Sequence, residues 1–160
     1  MIPEGFTLQN SEKCRPYPQD QELKDFLTQQ FGFYPDLLAA YYFYDSLENN
    51  ILFLSNQPEI PRTTNITQIG LPAYKGIYPR GYVTNAFIYR FGKHAVRNVI
   101  DINTSLLPAL LNREGLPLEK KIDHSGHQII RSGKYILGRG WLRDGNLYMD
   151  APKIWKQNLL

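Results

Sequence analysis

The sequence predicts an α+β chain: an extended arm at 1–18, a small α+β domain at 19–92 and a small β-barrel domain at 93–160. Three observations lead there. An amphipathic helical stretch lies near the start, a hairpin of two apolar runs follows it, and the last third alternates β-branched or aromatic runs with glycine-containing turns. A chain of 160 residues, 42% hydrophobic and 21% charged, is long enough to bury such a core.

The arm is polar and carries Pro3, Pro16 and Pro18. Residues 19–31 predict a helix, because Leu23, Phe26, Leu27 and Phe31 recur on one face, acidic Asp20 and Glu22 suit its N-terminal end, and Gly32 can stop it. Residues 39–55 predict the hairpin, with strands at 39–44 and 51–54 around a polar turn at 46–50. Residues 56–65 read as a loop and 66–71 as a short strand. Residues 82–90 are strand-like, and a helix there is also compatible with the pattern. A domain boundary is expected near Gly92-Lys93-His94.

The C-terminal part predicts a strand at 98–103, a helix at 105–111 capped by Asn103 or Thr104 with Pro108 tolerated in its first turn, and then strands at 127–131, 135–142 and 146–149. Turns at Ser132-Gly133 and Asp144-Gly145 join the last three. Short strands linked in this way suggest a small barrel.

The net charge of +3 conceals a division. Residues 1–70 carry 4 Lys/Arg against 9 Asp/Glu, whereas residues 71–160 carry 14 against 6. The field of the second part attracts polyanions, of which nucleic acid is the commonest, although a charge excess also arises with no partner at all. Lys93, Arg97, Lys134, Arg139 and Arg143 belong to this excess, with Tyr135 and Trp141 among them. Cations interleaved with aromatics can neutralise phosphates and stack on unpaired bases, while Trp141 and Tyr135 also fit as core residues.

Other chemistries find little support. A single cysteine, Cys14, excludes an internal disulfide and suggests a reducing, cytoplasmic setting. No apolar stretch approaches the roughly 20 residues of a membrane span, and no signal peptide is legible, so no membrane partner is expected. No phosphate loop or complete dinucleotide fingerprint occurs; Gly138-Arg139-Gly140 supplies only half of the latter, so no cofactor is expected. His124 and His127 lie three apart beside Asp123, but no second ligand pair accompanies them and no metal is expected. His94 with Asp101 carries no nucleophile signature, and no catalytic residue is assigned.

The run 99–103, the segment Leu106 to Gly115, the strand 125–130, and Tyr135-Ile136-Leu137-Gly138-Arg139-Gly140 with the terminal 142–148 together resemble a PUA domain. They are similar to the C-terminal regions of Sun-family RNA 5-methylcytosine methyltransferases. The helix at 20–31, the hairpin and the Gly70 segment resemble the pre-PUA domain of those enzymes and of pre-PUA/PUA ribosome-biogenesis proteins. The resemblance spans about 20–150 and implies a β pseudobarrel that binds structured RNA, tRNA or rRNA, without catalysing a reaction. It places the RNA against Leu111 to Gly115 and Leu137 to Gly140, with Arg113, Lys134, Arg139 and Arg143 as phosphate contacts and Lys93 and Arg97 joining from the linker. Gly115, Gly138 and Gly140 would allow close approach. A partner methyltransferase acting on the bound RNA is the alternative role, since the catalytic domain of that family has no counterpart here. His127 departs from the pattern by standing where the family usually has an acidic residue.

Overall fold

Helix α1 (Asp20–Phe31) forms where the periodicity places it. Leu23, Leu27 and Phe31, four apart, are fully buried, and Gly32 ends the helix in the left-handed conformation that a Cβ disfavours. Asp20 fastens the helix to its surroundings. Its carboxylate accepts from the Phe43 main-chain N–H at 2.7 Å and lies 2.7 Å from the buried Lys24 ammonium, which also sits over the Tyr42 ring. This computed structural model describes residues 14–46, 49–59, 69–112, 115–119 and 126–151.

A five-stranded antiparallel meander packs on α1: β1 (Cys14–Pro16), β2 (Tyr42–Ser46), β3 (Ile51–Ser55), β4 (Leu71–Lys75) and β5 (Tyr82–Val83), in sequence order. The hairpin forms as expected, with Tyr42 opposite Ser55 and Ser46 opposite Ile51. Two boundaries differ. Residues 35–40 are turns, with Leu37 and Leu38 buried from them, and β2 begins only at Tyr42. The end of the expected arm is the edge strand β1. Of the short strand expected at 66–71, residues 66–68 lie outside the described residues, and β4 starts at Leu71.

The strand-like reading of 82–90 is corrected. Only Tyr82–Val83 is extended, and Asn85–Phe91 is helix α2. Thr84 caps it by accepting from the Phe87 N–H at 3.2 Å, and Phe87, Ile88 and Phe91 bury one helical face. The aromatic content masks a helical spacing that the cap and the 87/88/91 pattern satisfy.

Through Gly92–His94, one 3₁₀ turn, the chain passes into the second sheet. It comprises β6 (Val99–Asp101), β7 (Leu116–Pro117), β8 (Gly126–Ser132), β9 (Tyr135–Arg143) and β10 (Asn146–Asp150), in the order β6-β8-β9-β10-β7. Among the described strands only β6 and β8 pair in parallel, which the long connection between them permits. A 3₁₀ turn at Thr104–Leu106, with Asn103 accepting from the Ser105 N–H, leads into the short helix α3 (Leu107–Leu110). The sheet is curled into a half-barrel with β6 and β7 at its edges. The two sheets share a boundary within one strand. Ile129 joins the core of the first sheet, together with Phe33, Phe87 and Phe91, while its neighbour Ile130 joins Leu110, Leu147 and Met149 inside the half-barrel.

Candidate functional site

The alternation of side chains along β8, β9 and β10 builds two rows on the face turned away from the half-barrel core. His127 lies opposite Trp141, and Trp141 opposite Tyr148. In the adjoining row Ile129 lies opposite Arg139, and Arg139 opposite Asp150. The Trp141 and Tyr148 rings are stacked, with centroids 5.7 Å apart and planes at 12°. Both remain partly buried. On the far side of Tyr148 stands Gly115, at φ +75°, where a Cβ would lie 2.8 Å from the ring.

Arg139 is the hub of the second row. It is only 8% exposed, and its Nη2 lies 2.9 Å from Asp150 Oδ2. Nη1 lies 3.4 Å from His127 Nδ1. The guanidinium stacks on Tyr82 of the first sheet, 3.9 Å from the ring centroid, and Tyr82 also tilts towards His127. Nε is buried without a hydrogen-bond partner among the described residues. Burial, and next the Arg139 charge, push the His127 imidazole below its usual pKa, so it is neutral at neutral pH. A neutral ring accepting from Arg139 at Nδ1 carries its proton on Nε2.

Helix α2 clamps this face from the other sheet. Asn85 Oδ1 accepts from the Arg139 main-chain N–H and its Nδ2 donates to the Asp150 carbonyl, both at 2.7 Å. The Tyr89 hydroxyl donates to the Leu137 carbonyl at 3.1 Å. Gly138, at φ +149°, admits Asn85, whose Oδ1 would stand 3.0 Å from any added Cβ.

Beside the His127 end of the face opens a cleft of about 290 Å³ between α1, the 79–83 segment, Asn98 and the start of β8. It is lined by Phe26, Gln30, Tyr82, Asn98, His127 and Gln128, among others. Asn98 adopts φ 52° and is held on two sides: its Nδ2 donates to the Gln30 carbonyl at 2.6 Å, and its own carbonyl accepts from the Ile129 N–H at 2.7 Å.

The structure separates the cations that the sequence groups. Arg143 is exposed on the same face as Trp141, two residues along β9, near Asp144 at 3.6 Å. Lys134 lies at the opposite end of that strand, about 30 Å away by strand rise, over the ring of exposed Tyr135. Arg97 is exposed next to Asn98 and the cleft, and its N–H, like that of Val96, donates to the Phe31 carbonyl. Lys93 is exposed on the preceding 3₁₀ turn. The expectation that Arg139 meets phosphate from the surface is corrected: it is buried and engaged with Asp150, His127 and Tyr82, because its row faces the first sheet. Arg113 lies outside the described residues, as do Asp123 and His124. Gly140 packs against the half-barrel core, where a Cβ would lie 2.4 Å from Ile130 Cδ1.

Tyr82, Asn85, Gln30, Asn98, Tyr148 and Asp150 complete the site and were not anticipated. The two-residue turn at Asp144-Gly145 was a usable signal for two of them, since it pairs Trp141 with Tyr148 and Arg139 with Asp150. Tyr82 and Asn85 reach the site through contacts more than 40 residues distant in sequence, for which no local signal exists. Among the described residues no group of three His, Cys, Asp or Glu could hold a metal ion, and no helix is long and apolar enough to cross a membrane. The chain matches no protein-family model, no curated protein and no solved structure.

Proposed function

We propose that this protein is a non-catalytic RNA-binding module, of pre-PUA/PUA kind, that engages structured RNA such as tRNA or rRNA through the His127–Trp141–Tyr148 face. The observation that carries this reading is the parallel Trp141–Tyr148 stack, partly buried on the sheet face and continued by the exposed guanidinium of Arg143. Aromatic side chains that reach the surface stack on unpaired bases, because every base has a π-face, and a neighbouring guanidinium neutralises phosphate. The second support is the charge division, with 14 Lys/Arg against 6 Asp/Glu over 71–160. The family resemblance supplies the choice of structured RNA.

Arg139 serves the face by fixing it rather than by touching RNA. It ties β8, β9 and β10 to Tyr82 of the first sheet, so the aromatic row is presented on a rigid base.

Fluorescence anisotropy with total tRNA and an rRNA fragment, at about 50 and 200 mM salt, tests the reading. Micromolar binding that weakens steeply with salt is expected, and Trp141→Ala should weaken it on the order of tenfold, the loss of one stacked base. Absence of binding at low salt would refute it.

A further inference from the structure

We propose that the cleft between α1 and the start of β8 receives a single unpaired nucleobase of the bound RNA. This rests on the RNA-binding reading and adds to it an element that reads a base rather than the backbone. At about 290 Å³ the cleft lies at the small end of ligand pockets and suits one heteroaromatic ring system, not an oligonucleotide.

Its lining has the chemistry of a base pocket. Among the described residues no Lys, Arg, Asp or Glu lines it, which suits a neutral occupant. The aromatic side chains of Phe26 and Tyr82 supply apolar wall. The polar groups have capacity to spare. The Gln30 side-chain amide makes no hydrogen bond among the described residues and offers a donor and an acceptor. Asn98 has its Nδ2 engaged by the Gln30 carbonyl and keeps Oδ1 as an acceptor. The neutral His127 ring, with Nδ1 towards Arg139, keeps Nε2–H as a donor. Fixed donors and acceptors beside aromatic walls are what the edge of an unstacked base requires. A wholly apolar occupant would leave these groups unpaired, at a cost that disfavours it.

The surroundings suit a base that remains attached to a chain. Exposed Arg80 adjoins the lining residues Pro79 and Gly81, and exposed Arg97 adjoins Asn98. Neither makes an ion pair among the described residues. A neutral interior with guanidinium groups on neighbouring positions matches a neutral base joined to anionic phosphates. His127 belongs both to the cleft and to the aromatic row, so adjacent nucleotides could occupy the two.

The test uses the full chain, isotopically labelled, titrated with adenosine, guanosine, cytidine and uridine up to about 10 mM, a range that detects millimolar dissociation constants. In parallel the same chain is titrated with total tRNA. At least one nucleoside is expected to shift the Gln30 and Asn98 side-chain amide signals saturably, together with the Gly81 and Gly126 N–H signals. Gln30→Leu, which keeps the volume and removes the amide, should abolish the nucleoside shifts and weaken tRNA binding about fivefold, the loss of hydrogen bonding at one amide. If no nucleoside moves the Gln30 or Asn98 signals while tRNA still binds, the cleft proposal is overturned and the RNA-binding reading stands. If tRNA does not bind at low salt, the RNA-binding reading fails, and with it the assignment of the cleft to an RNA base.

Discussion

Separating Arg139 from Asp150 should destabilise the β9–β10 pairing of the second sheet, and a double-mutant cycle measures by how much. Arg139 is 8% exposed, while the Asp150 side chain across the 2.9 Å contact is 51% exposed. Exposed pairs couple by about 0.2–1 kcal/mol, whereas breaking a fully buried pair costs about 3–5 kcal/mol. With one partner buried and the other half in water, the coupling should be about 1–2 kcal/mol. Arg139→Ala removes more than the pair. It also removes the guanidinium stacked 3.9 Å from the Tyr82 centroid, a desolvated contact of about 1–2 kcal/mol. Part of the loss is offset because the unpartnered Nε disappears as well. The net destabilisation should be about 3 kcal/mol. For a denaturant slope of about 2 kcal/mol per molar urea, the unfolding midpoint falls by about 1.5 M. Urea unfolding of the parent chain, Arg139→Ala, Asp150→Ala and the double variant gives the coupling directly. A value under about 0.3 kcal/mol, the scatter of independent sites, would refute the Arg139–Asp150 contact as a stabilising tie between β9 and β10.

Gly140→Ala should destabilise the half-barrel by about 1–3 kcal/mol, because the new methyl meets Ile130 Cδ1 at 2.4 Å and the Tyr148 carbonyl at 2.8 Å; thermal unfolding checks this. The folded-state pKa of His127 lies below its ordinary value of 6.5, so between the two the unfolded chain binds a proton that the folded chain does not. Stability should therefore be fully present above pH 6.5 and fall as the pH drops below it, and His127→Gln should flatten this dependence in urea unfolding at pH 7.5 and 5.5 (both about one unit from 6.5). Phe87→Ala should cost about 3–5 kcal/mol, since the ring is fully buried against Phe33 and Phe91, and chemical unfolding measures it.

What could be read from the sequence follows the reach of local rules. Helix α1, the first hairpin and the three C-terminal strands were legible because periodicity and turn chemistry act over a few residues. The α2 segment was ambiguous because Phe87, Tyr89 and Phe91 have strand propensity, while the Thr84 cap that favours a helix is a single side chain. The candidate site was legible only in part. The Asp144-Gly145 turn places Tyr148 beside Trp141 and Asp150 beside Arg139. The Ser132–Tyr135 turn alone would pair His127 with Gly140, but a bulge between Ile130 and Arg131 shifts the register and sets His127 opposite Trp141. The burial of Arg139 was not legible at all, because Tyr82, Asn85 and the first sheet cover it from far along the chain. A count of cations treats it like Arg143; only the packing separates the buried tie from the exposed charge.

The central claim is that RNA lies on the Trp141–Tyr148 stack, and the emission of Trp141 reports on it directly. In a Trp155→Phe background, Trp141 is the one remaining tryptophan of the two in the chain. Titration with total tRNA at low salt should quench its fluorescence in step with the rise in anisotropy of a labelled RNA, and added salt should reverse both together. Binding that leaves the Trp141 emission unchanged would contradict the account.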